Sequence, residues 1–203
     1  MLDNIDIFVV ANPHRKPLVA PYLSGLNATI YKTPDYTVPK GWESDPKWRY
    51  IYKAQGMKGA NGHLRCNTGH QDCLKTMKHD KSFMLEDDAV PNSNQWKEIV
   101  DLSIPLLDKF EVVSLHGRLL RQRHWKPFRH GGHTYLEPKS QKNGDVFCCG
   151  SLAYLITKDA AQKMITFPFT GMPQDMTICN KFTFCVLKNS PFNHDRRQGS
   201  LIE

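Results

Sequence analysis

Short β-branched runs alternate with helical stripes along nearly the whole chain, and this alternation constrains the fold more than any other feature. Asp6–Ala11 (DIFVVA) is the first such run and is closed by Asn12-Pro13, the pattern of a buried strand that ends at a turn. Residues 17–26 carry a helical apolar stripe, Ala28–Lys32 (ATIYK) reads as a second strand, and residues 33–46, with three prolines, read as loop. Residues 62–79 predict a helix, with Leu64, Cys66, His70, Cys73, Leu74 and Met77 near one face. Residues 82–85 are a short apolar strand. Residues 96–110 read as a helix kinked at Pro105, residues 111–115 (EVVSL) as a strand, and residues 146–157 as strand again. Thr157 is placed to cap a helix over 158–166 with Asp159 in its first turn. A short helix over 173–182 and a last strand over 183–188 complete the series, and the tail 189–203 shows no periodicity. Strands alternating with helices predict an α/β fold: a mixed, mostly parallel sheet flanked by helices. No repeat or low-complexity linker divides the 203 residues, so a single domain is expected.

The apolar runs at 7–11 and 152–156 are far shorter than the ~20 residues a membrane helix needs, so no membrane span is expected. The first residues, Met-Leu-Asp-Asn-Ile-Asp, carry neither a basic region nor an apolar core, which points to a cytoplasmic protein, in the host cytoplasm if the source is a virus. The six cysteines show no CxxC spacing, and free core thiols are expected rather than disulfides. Adjacent Cys148 and Cys149 are expected to pack on opposite faces of a strand. Lysine and arginine outnumber aspartate and glutamate by 27 to 20, which predicts a polyanionic partner without choosing among nucleic acid, a phosphorylated small molecule and an acidic surface.

The most informative segment is Leu85-Glu86-Asp87-Asp88-Ala89. Three consecutive carboxylates at the end of an apolar strand repel one another unless a cation sits among them. Ligands of open α/β sheets gather at the carboxyl ends of strands. The segment is therefore a natural seat for Mg²⁺ or Mn²⁺ bridging phosphates, against the plainer alternative of a solvated turn. The acid-free stretch 116–133 holds Arg118, Arg121, Arg123, Lys126 and Arg129 among Trp125 and Phe128. It suits a single-stranded nucleic-acid surface, a loop over the active site with an aromatic platform for a sugar, or a solvated basic loop; beside the acidic cluster, the active-site loop is preferred. His70, with Cys66 and Cys73 on its helix, reads as a packed histidine satisfied by a hydrogen bond rather than a zinc ligand, because no fourth ligand is evident. Tyr31 and Lys32, at the end of the second strand, are candidates to contact a nucleotide base.

Gly62-His63-Leu64-Arg65-Cys66-Asn67-Thr68-Gly69-His70 resembles the helix motif of glycosyltransferase family 25, the lipopolysaccharide-biosynthesis and collagen-galactosyltransferase type. In that family the motif precedes an apolar strand ending in Glu-Asp-Asp-Ala, which Leu85–Ala89 matches. Cys149-Gly150-Ser151-Leu152-Ala153-Tyr154 entering Ala160-Ala161 resembles the family's later glycine–tyrosine strand, and Pro173-Gln174-Asp175 its proline-x-aspartate. Val9-Val10-Ala11-Asn12 with Arg15 is a weaker match to its first strand. Gly69 stands where the family has serine, and the first strand lacks the usual asparagine-leucine.

The resemblance implies a GT-A-like (Rossmann-like) catalytic domain over residues 1–203, with the tail 189–203 closing on the donor site and acceptor loops reduced or supplied by a larger multidomain chain. It implies transfer, with inversion, from a nucleotide-sugar donor, UDP-linked, to a glycan or glycoprotein acceptor, with Mn²⁺ or Mg²⁺ and no nucleic acid. On that pattern Asp88, Glu86 and His194 would hold the metal, Glu86 and Asp87 would contact the donor's ribose or sugar, and Asp175 would be the catalytic base. Arg196 would sit on the diphosphate, with Arg15 and Tyr31 also on the donor. Two other classes remain open from the residues alone: a metal-dependent nuclease, which also needs clustered acids and basic surface, and a non-catalytic carbohydrate- or nucleic-acid-binding module.

Overall fold

A computed structural model describes residues 2–14, 16–45, 56–119, 124–139, 148–168 and 174–195. Its centre is an eight-stranded sheet in the order β2-β1-β3-β10-β5-β11-β8-β7. The strands are β1 Asp6–Ala11, β2 Ala28–Lys32, β3 Lys81–Glu86, β4 Ala89–Pro91, β5 Val112–Ser114, β6 Arg118–Leu119, β7 Trp125–His130, β8 His133–Pro138, β9 Cys148–Cys149, β10 Ala153–Thr157, β11 Phe184–Leu187 and β12 Phe192–His194. The helices are α1 Gly56–Lys75, α2 Trp96–Ser103, α3 Lys158–Thr166 and α4 Gln174–Lys181. The fold is α/β, as the alternation predicts. β1 runs parallel to β2 and β3, and β11 parallel to β5. β10 is inserted antiparallel between β3 and β5.

Why the strands read as unbroken apolar runs follows from their burial on both faces. Successive side chains alternate: Ile7 and Val9 of β1 join one apolar layer, Phe8 and Val10 the other. The first layer is closed by α2 and by a 3₁₀ turn over Ile104–Asp108, the second by α1, α3 and α4. In β3 the same alternation puts Phe83 and Leu85 under α2 and Met84 under α1. Glu86, two residues on, therefore emerges on the α1 side. Thr157 caps α3 through a hydrogen bond from Ala160 N–H to its hydroxyl, 3.2 Å. Cys66, Cys73, Cys179 and Cys185 are free and buried; the side chains of Cys148 and Cys149 lie outside the described residues. Among the described residues no helix is long and apolar enough to cross a membrane.

Five local expectations change. The stripe at 17–26 forms only a 3₁₀ turn, Ala20–Leu23, because Pro17 and Pro21 each remove an amide donor. The helix expected over 62–79 is displaced towards the amino terminus, to Gly56–Lys75, and the one kinked at Pro105 stops at Ser103 and continues as the 3₁₀ turn. The later part of the stretch 116–133 is not an irregular loop: β7 and β8 form a hairpin around Gly131 and Gly132, whose φ angles of +54° and +79° suit glycine. Trp125 packs edge-on against Phe184 at 5.9 Å, and Phe128 stacks between Phe110 and Tyr135. These rings are core, not a platform for a sugar. The hairpin is also the far edge of the sheet, five strand spacings from β3, roughly 24 Å. Its Lys126 pairs with Glu137 and its Arg129 with Gly132 O, as befits a charged edge strand that resists further pairing; Arg121 and Arg123 lie outside the described residues. Lastly, the aperiodic tail contains β12, which pairs antiparallel with β4 through His194 and Ala89.

Candidate functional site

The three acids leave β3 at its carboxyl end and take three different environments. Asp87 is turned into the protein, 1% exposed. Its Oδ2 accepts the Asn12 N–H at 2.8 Å, its own N–H reaches Val10 O, and its carbonyl accepts the Leu18 and Val19 amides. It ties the turn after β1 to the turn after β3.

Asp88 is equally buried, 2% exposed, but its Oδ2 lies 2.8 Å from His194 Nε2, across 106 residues of chain. The β4–β12 pair brings them together, and Asp195 N–H donates to Asp88 O at 3.0 Å to fix the register. Glu86 meets side chains from α1 and from the approach to β10. Ser151 Oγ donates to its Oε1 at 2.5 Å, the Cys66 thiol lies at 3.9 Å and His70 Nε2 at 3.8 Å. Cys66 and His70 are one helical turn apart and so share the face of α1 that looks at Glu86.

The sequence expectation that His70 is packed and hydrogen-bonded holds for one nitrogen. Nδ1 is 2.9 Å from Tyr154 Oη, and the two rings stack at 5.5 Å. Nε2 is buried with no hydrogen-bond partner among the described residues.

α1 reaches this position because residue 69 is glycine. A Cβ there would lie 2.2 Å from Thr33 Cγ2 and 2.7 Å from Val10 Cγ1, so the family's serine does not fit this helix–sheet contact. Gly150 is constrained too: at φ +145° it lies against His116, where a Cβ would meet the His116 carbonyl at 2.8 Å. That close approach sets Ser151 over Glu86 and lets Gly150 N–H donate to Asp175 Oδ2 at 3.1 Å, from the first turn of α4.

The electrostatics bind these groups into one site. Burial would push the Glu86 carboxyl up, but the His70 imidazole, the Ser151 hydroxyl and the more distant His194 outweigh it and hold the group below its ordinary value. The Cys66 thiol is driven well above its ordinary value by burial first and then by the charges of Glu86, Asp175 and Asp88. Of the residues expected to act together, Glu86, Asp88 and Asp175 all act on the Cys66 thiol, and His194 acts on Glu86.

Tyr31 is placed differently. Its half-buried ring packs on the second apolar layer and its hydroxyl donates to Asp72 Oδ2 at 2.9 Å, beside Tyr36 on the same oxygen. Burial and the Asp72 charge raise it above its ordinary value. Arg15 and Arg196 lie outside the described residues. The sequence reading did not assign Ser151, or Cys66 and His70 as partners of Glu86. The spacing of Cys66 and His70 on a helix and the serine after Gly150 were the available signals.

The donor set of Asp88 and His194 fits a divalent ion. Two ligands at about 2.1 Å on adjacent corners of an octahedron are about 3 Å apart, and these atoms are 2.8 Å apart. An imidazole nitrogen is a softer donor than carboxylate or water, which favours Mn²⁺ over Mg²⁺ in such a pair.

No protein-family model matches the sequence, and no curated protein matches it. Among solved structures the chain is similar to A197 from STIV, at TM-score 0.47 and 12% identity over 93% of this chain and 83% of that one. It is also similar to HddC from Yersinia pseudotuberculosis, at TM-score 0.40 and 10% identity over 93% and 92%. A third is S. aureus TarS 1-349, at TM-score 0.43 and 12% identity over 93% of this chain and 59% of that one.

Proposed function

We propose that this protein is a metal-dependent glycosyltransferase of the GT-A type, moving a sugar with inversion from a nucleotide-sugar donor, UDP-linked, to a glycan or glycoprotein acceptor. The observation that supports the reading best is the Asp88–His194 pair at 2.8 Å, assembled at the carboxyl end of a central strand from segments 106 residues apart. Its ordinary alternative, a structural histidine–carboxylate bond, needs no neighbouring acids. Here Glu86 and Asp175 share the same electrostatic neighbourhood.

In this reading Asp88 and His194 hold Mn²⁺, or Mg²⁺ less well, with Glu86 behind them. A bound ion supplies Lewis-acid neutralisation of the charge that grows on the departing diphosphate. Glu86, kept ionised by Ser151 and His70, accepts hydrogen bonds from donor hydroxyls and fixes the sugar. Asp175 takes the proton of the acceptor hydroxyl. The acceptor oxygen then bonds to the anomeric carbon as the bond from that carbon to the diphosphate breaks, with its electron pair leaving on the nucleotide. Asp87 acts indirectly, by holding the turns after β1 and β3 together. Arg15 and Arg196 are proposed to meet the diphosphate and Tyr31 the base side of the donor. The nuclease alternative drew on the basic stretch; the part of it in the β7–β8 hairpin lies at the opposite edge of the sheet from the acids.

A thermal-shift panel of nucleotide sugars with and without Mn²⁺ tests the proposal. One donor is expected to raise Tm only when Mn²⁺ is present, and Asp88→Asn to abolish that rise. A panel in which no nucleotide sugar shifts Tm with either ion overturns the reading.

A further inference from the structure

One ligand atom each of Cys66, His70 and Glu86 lies within 4.8 Å of the others, with His70 Nε2 and Cys66 Sγ both on Glu86 Oε1. Nε2 is the pointer. His70 is completely buried, its other nitrogen is engaged by Tyr154, and Nε2 faces Glu86 Oε1 at 3.8 Å with no hydrogen-bond partner among the described residues. Burying a ring nitrogen without a partner is costly, and here it is aimed at a thiol and a carboxylate.

We propose that Cys66, His70 and Glu86 form a second metal site, for a thiophilic transition ion of the Zn²⁺ class. One sulfur, one nitrogen and one oxygen donor select such an ion over Mg²⁺ or Ca²⁺. A tetrahedral ion with these ligands holds them about 3.3–3.6 Å apart. The present separations from Glu86 Oε1 are 3.8 Å to the nitrogen and 3.9 Å to the sulfur, so side-chain adjustments of a few tenths of an ångström to about one ångström close the site. The groups that orient the ligands are already in place: the Nδ1–Tyr154 hydrogen bond fixes the imidazole, and Ser151 fixes the carboxylate. The Ser151 hydroxyl or a water fills the fourth position. On binding, the Cys66 thiol releases its proton to solvent and the sulfur bonds as thiolate. Because Glu86 is shared, an ion here withdraws it from the donor, so Zn²⁺ inhibits transfer; that consequence, unlike the site itself, rests on the transferase reading.

Co²⁺ titrated into the full chain tests the site, since thiolate ligation gives a charge-transfer absorption and tetrahedral geometry gives intense visible bands. Both are expected at a single equivalent and to be displaced by Zn²⁺. Cys66→Ser should remove the charge-transfer band and weaken binding by more than about 100-fold, whereas His194→Ala should keep it. If Cys66→Ser does not fold, Glu86→Gln replaces it and should weaken Co²⁺ binding at least about tenfold. Wild-type protein without the band, a band that survives Cys66→Ser, or Co²⁺ affinity unchanged by Glu86→Gln overturns the proposal. The band does not need Asp88. A wild-type band in protein that no nucleotide sugar stabilises with Mn²⁺ or Mg²⁺ therefore refutes the transferase reading and leaves the second site standing.

Discussion

The two ends of the central strands both carry buried or half-buried carboxylates, but they answer them with different chemistry. At the amino ends, Asp6 accepts the main-chain amides of Lys78 and His79 and the His79 ring. Glu111, just before β5, accepts the Thr183 amide and hydroxyl and the Lys163 ammonium. Burial would raise both groups, yet these donors hold them below their ordinary values. Main-chain amides are fixed donors, so such acids are stitches between elements. At the carboxyl end, Glu86 and Asp88 meet imidazoles and a hydroxyl, side chains that can turn from a carboxylate to a metal or a substrate. Asp87 sits among them but is held by the Asn12 amide. By partner, it belongs with the stitches. Among the three acids that leave β3, the type of donor, more than burial or position, separates the one that fastens the fold from the two placed to do chemistry.

The largest effect that could break this comparison is at Asp88. Asp88→Ala is expected to lower transfer from the nucleotide sugar by about 10²–10³-fold, the usual cost of removing one transition-state electrostatic contact, with its Mn²⁺ dependence lost and its circular dichroism unchanged. Full activity in that variant would return Asp88 to the stitches. Next comes Asp87→Ala, expected to cost about 2–3 kcal/mol of stability, because it empties a buried position and takes the charged acceptor from a half-buried amide. Urea unfolding measures it. A stable Asp87→Ala protein lacking only activity would place Asp87 with the chemical acids instead.

Gly69→Ser is a smaller test of how the imidazole side of the site is held. The added Cβ would press on Thr33 and Val10, and overpacking of this kind costs about 1–3 kcal/mol. It should also loosen His70, the next residue; a variant as stable as the parent would mean that α1 shifts without strain. The glycine was visible in the sequence only as a departure from a family pattern. Its cause, a helix lying unusually close to β1, is a tertiary fact. The same limit governed the rest. β1, β3, β10 and the cap at Thr157 were legible because burial on two faces and capping leave local signatures. The acidic triplet stood out as a candidate site for the same reason, since an apolar strand running into charge is a local pattern. Which acid faces His194, and that Ser151 closes on Glu86, depends on pairings 65 to 106 residues apart, which no local pattern encodes. The β7–β8 hairpin was different: Gly131-Gly132 between alternating residues is a turn signal, masked by the density of arginine and lysine around it.

The smallest expected effect lies at the opposite end of the sheet. Glu111 joins β5 to α3 through Lys163 and to the segment entering β11 through Thr183. Its folded-state value is depressed below the ordinary 4.5, so its stabilisation is fully present above that pH and is lost as pH falls through the folded value. Glu111→Gln keeps the shape, surrenders the charge, and should cost about 1 kcal/mol at neutral pH. The sharper readout is the slope. Between about pH 6 and about pH 3 the urea midpoint of the parent should fall more steeply than that of the variant, the two converging in acid. Transfer activity at neutral pH should be the same in both, because a stitch at the amino end touches neither donor nor acceptor. Parallel pH slopes would mean that the amide and ammonium donors do not favour the ionised acid, and the distinction between the two ends would then rest on the carboxyl end alone.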